Sequence, residues 1–265
     1  MQEPLVSIIM GVFNEEQTLE RCMESILNQT YTNWEFVICD DCSTDSSYNI
    51  LQKYAKLDSR IKVLQNKTNC RLAASLNRCL KVANGVYIAR MDADDISLPE
   101  RLAKQVRFLE TSEFDVVGCA AKISDGTKIV GIRVNKEYPN KNDVLKGPTF
   151  MHPTIMMKKT VYDVLDGYTV ADRTRRGQDW DLWFKFFSKG FTGYNMQEPL
   201  LIYHESEADL KKRTFKAAVG TMKTAILGFR LMKVPIVKYY LVLKPIISWF
   251  VPEKIKKLHR KEVLR

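Results

Sequence analysis

The stretch Arg90-Met91-Asp92-Ala93-Asp94-Asp95 closes the short run Val86–Arg90, which reads as a buried β-strand. Ligands of an open parallel sheet bind beyond the carboxyl ends of its strands. Three carboxylates crowded there repel one another unless a cation neutralises them. In extended backbone Asp92 and Asp94 face the same side, so both can address one hard divalent ion. Taken alone, the stretch is equally well explained as a solvated acidic turn.

Working outward from it, the first half of the chain alternates short β-branched runs with amphipathic stretches, the pattern of βαβ units. Strands are expected at Leu5–Val12, Trp34–Cys39, Ile61–Gln65, Val86–Arg90 and Asp115–Cys119. Helices are expected at Glu15–Gln29, Asp45–Leu57, Arg71–Ala83 and Pro99–Glu110. Ser43 and Thr44 supply a start signal for the second helix, and Pro99 suits the first turn of the fourth. Beyond Cys119 the rhythm breaks. Ile123–Val134, split by Asp125-Gly126, predicts a β-hairpin, and Lys136–Gly147 is polar and poorly periodic. A short helix at Val161–Leu165 and a stronger one at Asp179–Lys189 flank a loop rich in Arg and Asp, Asp172–Gly177.

The 265 residues, 45% hydrophobic and 27% charged, exclude a disordered tail, a collagen-like repeat and a disulfide miniprotein. The net charge of +10 is unevenly spread. Residues 208–265 carry 15 Lys/Arg against Asp209, Glu253 and Glu262, a net of +12, which leaves the first 207 residues at −2. A nucleic-acid binder would carry its basicity on the folded body, so no nucleic-acid partner is expected. The six cysteines all lie in the first half, and the Cys39/Cys42 spacing has no second pair to complete a zinc site. Unpaired thiols in a reducing compartment follow. Neither a GxGxxG fingerprint nor a Walker A loop is present.

A second acidic turn, Asp40-Asp41-Cys42-Ser43-Thr44-Asp45, ends the second strand. Ser43 or Asp45 is explained as a helix cap, but Asp40 and Asp41 are not. A carboxylate there can accept from a ribose hydroxyl or a base imide N–H. The first strand ends in Val12-Phe13-Asn14-Glu15, which sets polar groups beside an aromatic ring.

Five segments in order, Val6–Glu16, Ser25–Tyr31, Asp40–Asp45, Met91–Asp95 and Gly177–Trp183, together resemble family 2 glycosyltransferases of the GT-A fold, over about residues 4–205. The resemblance implies an α/β architecture with a Rossmann-like, mostly parallel central sheet flanked by helices. It implies transfer of a sugar, with inversion, from a nucleotide diphosphate donor, usually UDP-linked, to an acceptor hydroxyl. By position, Asp41 resembles the aspartate that reads the base, with Phe13 and Asn14 lining the base pocket. Asp92 resembles the first carboxylate of the DxD motif, near the ribose, and Asp94 the one that binds Mn²⁺ or Mg²⁺ at the diphosphate, so the pair is the expected metal site.

Asp179 matches the catalytic aspartate of the family's ED motif, with Gln178 where the family often has Glu. A diphosphate leaving group needs charge neutralisation rather than a proton, and inversion needs a single base. The helix starting at Asp179 has a positive N-terminal end that would keep it ionised. Asp181 points about 200° away around the same helix and cannot share the task. His152, in Met151-His152-Pro153-Thr154, matches a segment that relatives place near the acceptor and diphosphate, and it reads equally as a hydrogen-bonded core residue. His204 falls where relatives often carry Arg, with a His two residues later. Trp180 and Trp183 suit either sugar stacking or core packing. Arg173, Arg175 and Arg176 read as a solvated run or as a phosphate-holding loop.

The expected organisation is a glycosyltransferase domain over 1–207, with a nucleotide-sugar half (1–119) and an acceptor and catalytic half (120–207), then a basic amphipathic helical tail over 208–265. Phe229–Val251 is the most apolar segment, but Arg230, Lys233, Lys238 and Lys244 interrupt it and Pro235 and Pro245 bend it. That composition suits an anionic membrane surface, with packing on the domain or a second subunit as the alternative. Met1-Gln2-Glu3-Pro4 has no basic n-region, so a cytoplasmic protein peripheral to the inner face of the plasma membrane is expected, acting on a lipid-linked or saccharide acceptor. The competing functions are a non-catalytic nucleotide-sugar-binding module and a nucleotidyltransferase. The latter would carry a basic, glycine-rich loop where this chain has Asn14-Glu15-Glu16.

Overall fold

The computed structural model describes residues 3–205 and 214–252. The start of the expected tail at Ala208 and its basic run Lys254–Arg265 lie outside the described residues.

The amino-terminal half is built from β1 (Val6–Val12), α1 (Leu19–Leu27), β2 (Trp34–Asp40), α2 (Ser47–Leu57), β3 (Ile61–Gln65), α3 (Leu72–Val82) and β4 (Tyr87–Arg90). β2 and β4 are buried along their whole length, and β1 at every residue but Gly11. They read as continuous apolar runs because helices cover both faces of a parallel sheet. β3, β2, β1 and β4 pair in parallel in that spatial order. α1 starts four residues later than expected, because Asn14, Glu15 and Glu16 are tied by their backbone N–H groups to Ser43, Ser47 and Asp45.

The second half continues the same sheet with mixed polarity. β5 (Ile96–Ser97), α4 (Arg101–Glu110), β6 (Val116–Ser124), β7 (Ile129–Arg133), β8 (Met156–Lys158), α5 (Lys159–Leu165), α6 (Gln178–Ser188) and β9 (Gly193–His204) follow in chain order. β8 joins β4 to β6, antiparallel to both, and β9 runs parallel to β6 and antiparallel to β5. β6 and β7 form the expected hairpin about Asp125-Gly126. β8 and β9 were not foreseen. β8 is three residues long, and β9 carries Gln197, Glu198 and Pro199 where its register against β6 shifts, so neither shows a clean period of two.

After the undescribed segment, α7 (Phe215–Leu231) leads through a 3₁₀ stretch at Ile236–Leu243 to α8 (Lys244–Phe250). α7 shares a core with α6: Thr224, Ala225 and Phe229 are fully buried, and Phe229 packs on Phe184 and Tyr239. A Cβ added at Gly228 would lie 2.2 Å from the Phe184 ring, so glycine is what lets the two helices approach. Ile236, Val237, Tyr240, Ile247 and Phe250 remain exposed on the segments beyond. No helix among the described residues is long and apolar enough to cross a membrane.

Candidate active site

β1 lies between β2 and β4, so the acidic and polar residues that follow these three strands are neighbours along one sheet edge. At the β1 end, Asn14 sits at φ 56°, a left-handed conformation that Asn tolerates, and its Oδ1 accepts the Thr44 N–H at 2.8 Å. Phe13 beside it is 43% exposed, an aromatic face presented at the rim.

Asp41 is buried, and its carboxylate accepts from Asn66 Nδ2 (2.6 Å), Cys70 N (2.8 Å) and Arg71 N (2.8 Å). Both of its oxygens therefore hold the loop between β3 and α3. Asp40, one residue earlier and fully buried, accepts from Ser43 N and Gln65 Nε2 on Oδ2 alone and leaves Oδ1 without a hydrogen-bond partner. The resemblance singles out Asp41 of the two, while the free acceptor oxygen belongs to Asp40.

The β4 end is organised by two arginines that sequence reading passed over. Arg101, fully buried, donates from Nη2 to the carbonyls of Arg90 (2.8 Å) and Ile155 (3.3 Å), which fixes the end of the strand. Arg90 is also buried and pairs with Asp92, Nη2 to Oδ1, at 2.5 Å. Asp95 accepts the His204 N–H at 2.9 Å and is fully buried. Burial, followed by the charges of Asp92 and Asp94, holds its carboxyl well above the usual aspartate range.

Asp92 pairs with the buried Arg90, and the charges of Asp92 and Asp94 both act on Asp95, so the strand end is acidic and its Asp92 and Asp94 carboxylates fit a divalent cation. Among the described residues no three His, Cys, Asp or Glu side chains form a ligand cage. A two-carboxylate site of this kind suits an ion that takes its remaining oxygens from substrate phosphates and water.

Asp179 stands in the first turn of α6, behind Gly177 at φ 87°, a turn that a β-branched residue would strain. Burial raises its carboxyl above the ordinary aspartate value, while the N–H groups of Trp180 and of Asp179 itself, and the charge of Arg90, pull it down. The expected helix-terminus effect is present, and burial outweighs it. Asp92 and Asp179 line one cavity of about 580 Å³, together with Arg90, His152, Arg176 and Tyr203. Asp181 faces elsewhere, paired with Arg173 Nη1 at 2.5 Å.

The remaining expected contacts divide. His152 lines the cavity, is buried, and bonds through Nε2 to Tyr168 Oη at 2.9 Å, with Tyr162 Oη 3.0 Å from the same oxygen. Burial, then the positive charge of Arg90, depress its pKa well below the usual value, so it is neutral. Trp180, considered for sugar stacking, is instead a core residue: it is buried and donates from Nε1 to the Val144 carbonyl at 2.7 Å. Trp183 is also buried, against Phe150. His204 is held by its backbone to Asp95, and its ring lies beside Gly126 of the hairpin; its neighbour Tyr203 lines the cavity.

Comparison with known proteins bears on the family and the fold. The Glycosyl transferase family 2 profile matches residues 7–166 and so ends before α6. A Bacillus subtilis protein named glycosyltransferase EpsE is 44% identical over 264 residues, 98% of this chain and 95% of that one. The Escherichia coli UDP-Glc:alpha-D-GlcNAc-diphosphoundecaprenol beta-1,3-glucosyltransferase WfaP is 31% identical over 81% of this chain and 83% of its own length. Among solved structures, Staphylococcus aureus TarS 1-349 in complex with UDP-GlcNAc shares the GT-A fold at a TM-score of 0.69 and 17% identity, covering 96% of this chain and 83% of that one. With the profile spanning more than half of the sequence and a relative aligned almost end to end, this chain belongs to glycosyl transferase family 2 and is a glycosyltransferase.

Proposed function

We propose that the protein is an inverting, metal-dependent glycosyltransferase. It moves a sugar from a UDP-sugar to a hydroxyl of a lipid-linked saccharide, in the synthesis of a cell-surface polysaccharide. The observation that carries this reading is the placement of Asp92 and Asp179 in one cavity, next to the acidic end of β4. The acceptor and donor classes rest on relatives whose names specify UDP-Glc and a diphosphoundecaprenol-linked sugar.

In this mechanism the nucleotide base lies at the ends of β1 and β2, against Phe13, Asn14 and the Asp40-Asp41 turn, and the diphosphate faces Asp92 and Asp94. Asp92 and Asp94 would hold a divalent ion, which when bound would supply the charge neutralisation that the leaving diphosphate needs. Asp179 accepts the proton of the acceptor hydroxyl as its oxygen attacks the anomeric carbon from the face opposite the UDP, so the configuration inverts. The raised pKa makes Asp179 a stronger base than a solvated aspartate, which matches it better to proton abstraction near neutral pH. Neutral His152, tied to Tyr168, gives the cavity wall a polar group without adding positive charge.

The protein is further read as peripheral to the inner face of the plasma membrane. The exposed apolar residues Ile236, Val237 and Tyr240, with Lys233, Lys238 and Lys244 beside them, suit an anionic interface.

Calorimetric titration of UDP, GDP, CDP and dTDP, with and without Mn²⁺, tests the donor site. UDP should bind best, only with metal, and Asp94→Ala should remove that binding. Metal-independent binding would contradict the roles of Asp92 and Asp94, and a preference for another base would contradict the donor assignment.

A further inference from the structure

A second cavity, of about 400 Å³, lies between the 172–177 loop, the N-terminal turns of α7 and Arg71 at the start of α3. Its lining is strongly basic. Two of its arginines are already neutralised, Arg173 by Asp181 (2.5 Å) and Arg175 by Asp172 (2.9 Å). Arg71, Arg176 and Lys216 are exposed and have no carboxylate partner among the described residues, so the described lining offers about three positive charges to a ligand. The first turn of α7 adds the positive end of a 17-residue helix. Both its charge and its helix-terminus geometry suit phosphate groups.

The position of the cavity narrows the ligand. Arg175 and Arg176 line this cavity and also the one that contains Asp92 and Asp179. On the other side, Phe215 opens α7 next to Lys216 and packs against Trp249 of α8 at 5.2 Å between ring centroids. From there the exposed apolar residues Ile247, Phe250, Tyr240, Val237 and Ile236 continue along the chain. α7 is clamped to the loop: Arg173 donates to Thr224 Oγ1 (3.2 Å), and a Cβ at Gly220 would lie 3.2 Å from the Arg173 carbonyl oxygen. A polyanion here has the base on one side and a greasy surface on the other.

We infer that the cavity bounded by Arg71, Arg176 and Lys216 binds the diphosphate of an amphiphilic acceptor, with its saccharide directed toward Asp179 and its hydrocarbon chain along the exposed face of the tail. This inference rests on the glycosyl-transfer reading above and names how that site takes its acceptor. A nucleotide-sugar diphosphate shares the same chemistry, but it has no hydrocarbon to match the apolar face.

The test uses farnesyl diphosphate, inorganic pyrophosphate and UDP as probes on the full chain, comparing wild type with Arg176→Ala, Lys216→Ala and Arg176→Lys. Prenyl diphosphate titrations are run without divalent metal, so that Asp92 and Asp94 do not capture phosphate, and UDP titrations with Mn²⁺. Farnesyl diphosphate should bind more tightly than pyrophosphate, lose tenfold or more affinity in each alanine variant and recover in part with Arg176→Lys, while the UDP affinity of Lys216→Ala, which lines the second cavity alone, stays within twofold. Equal loss of UDP binding would assign the cavity to the donor and overturn the inference. Farnesyl diphosphate binding unchanged in the variants, or absent from a wild type that still binds UDP, would overturn it while leaving glycosyl transfer intact.

Discussion

Asp179 carries two opposed electrostatic influences, and their balance sets its behaviour. Burial raises its pKa and the first-turn N–H groups lower it, with burial the larger effect. Its acid limb should therefore lie above the ordinary value of 3.8 in a pH profile of kcat/KM. A carboxyl whose folded pKa exceeds its unfolded one contributes stability below the unfolded pKa and loses it as pH rises through the folded one. Asp179 is thus a stability cost at neutral pH, and Asp179→Asn should melt at or above the wild-type temperature there; a clear fall in melting temperature would mark a structural role. His152 titrates in the other sense. It is buried and neutral, so the unfolded chain binds a proton that the folded one resists. Stability should fall as pH drops below about 6.5, and His152→Gln should flatten that slope in pH-dependent denaturation curves. An unchanged slope would show that another group governs the acid limb. At this scale the sequence was informative wherever a carboxylate stands beyond a strand end. It was silent on Arg90 and Arg101, whose burial only the three-dimensional arrangement reveals, and on Trp180, whose helix face decides between sugar and core.

Elements that bury both faces were legible, because a continuous apolar run such as Trp34–Asp40 needs no partner to be recognised. β9 escaped because its bulged pairing with β6 breaks the alternation, and β8 because three residues carry no period. Helix over 215–231 agrees with the expected helical tail, and its packing on the domain was there only as the alternative to a membrane surface: Gly228, where α7 meets Phe184 of α6, gives no hydrophobic signal. That contact predicts that Gly228→Ala, which forces a Cβ against Phe184, destabilises the protein by about 1–3 kcal/mol in urea denaturation. A neutral result would mean that α7 does not dock on α6 as described. The Arg173–Asp181 pair links the basic loop to α6. Asp181→Ala should cost about 2 kcal/mol, below the range for a fully buried pair because Arg173 keeps 20% of its side chain exposed.

Across the whole molecule the proposed function assigns the donor to the sheet edge and the approach to a membrane-bound acceptor to the tail. Flotation with phosphatidylglycerol vesicles should carry the full chain upward at low salt, and Ile236→Ser with Tyr240→Ser should weaken it severalfold without changing UDP affinity. Flotation insensitive to both salt and these changes would contradict the membrane reading. The central claim, that Asp179 is the base and the β4 acids hold the donor, is tested most directly by measuring transfer and UDP affinity together in Asp179→Asn. Transfer, read as acceptor-dependent UDP release from a UDP-sugar, should fall by about 10²–10⁴-fold while the UDP dissociation constant stays within twofold. Retained transfer, or parallel loss of both, would contradict the account.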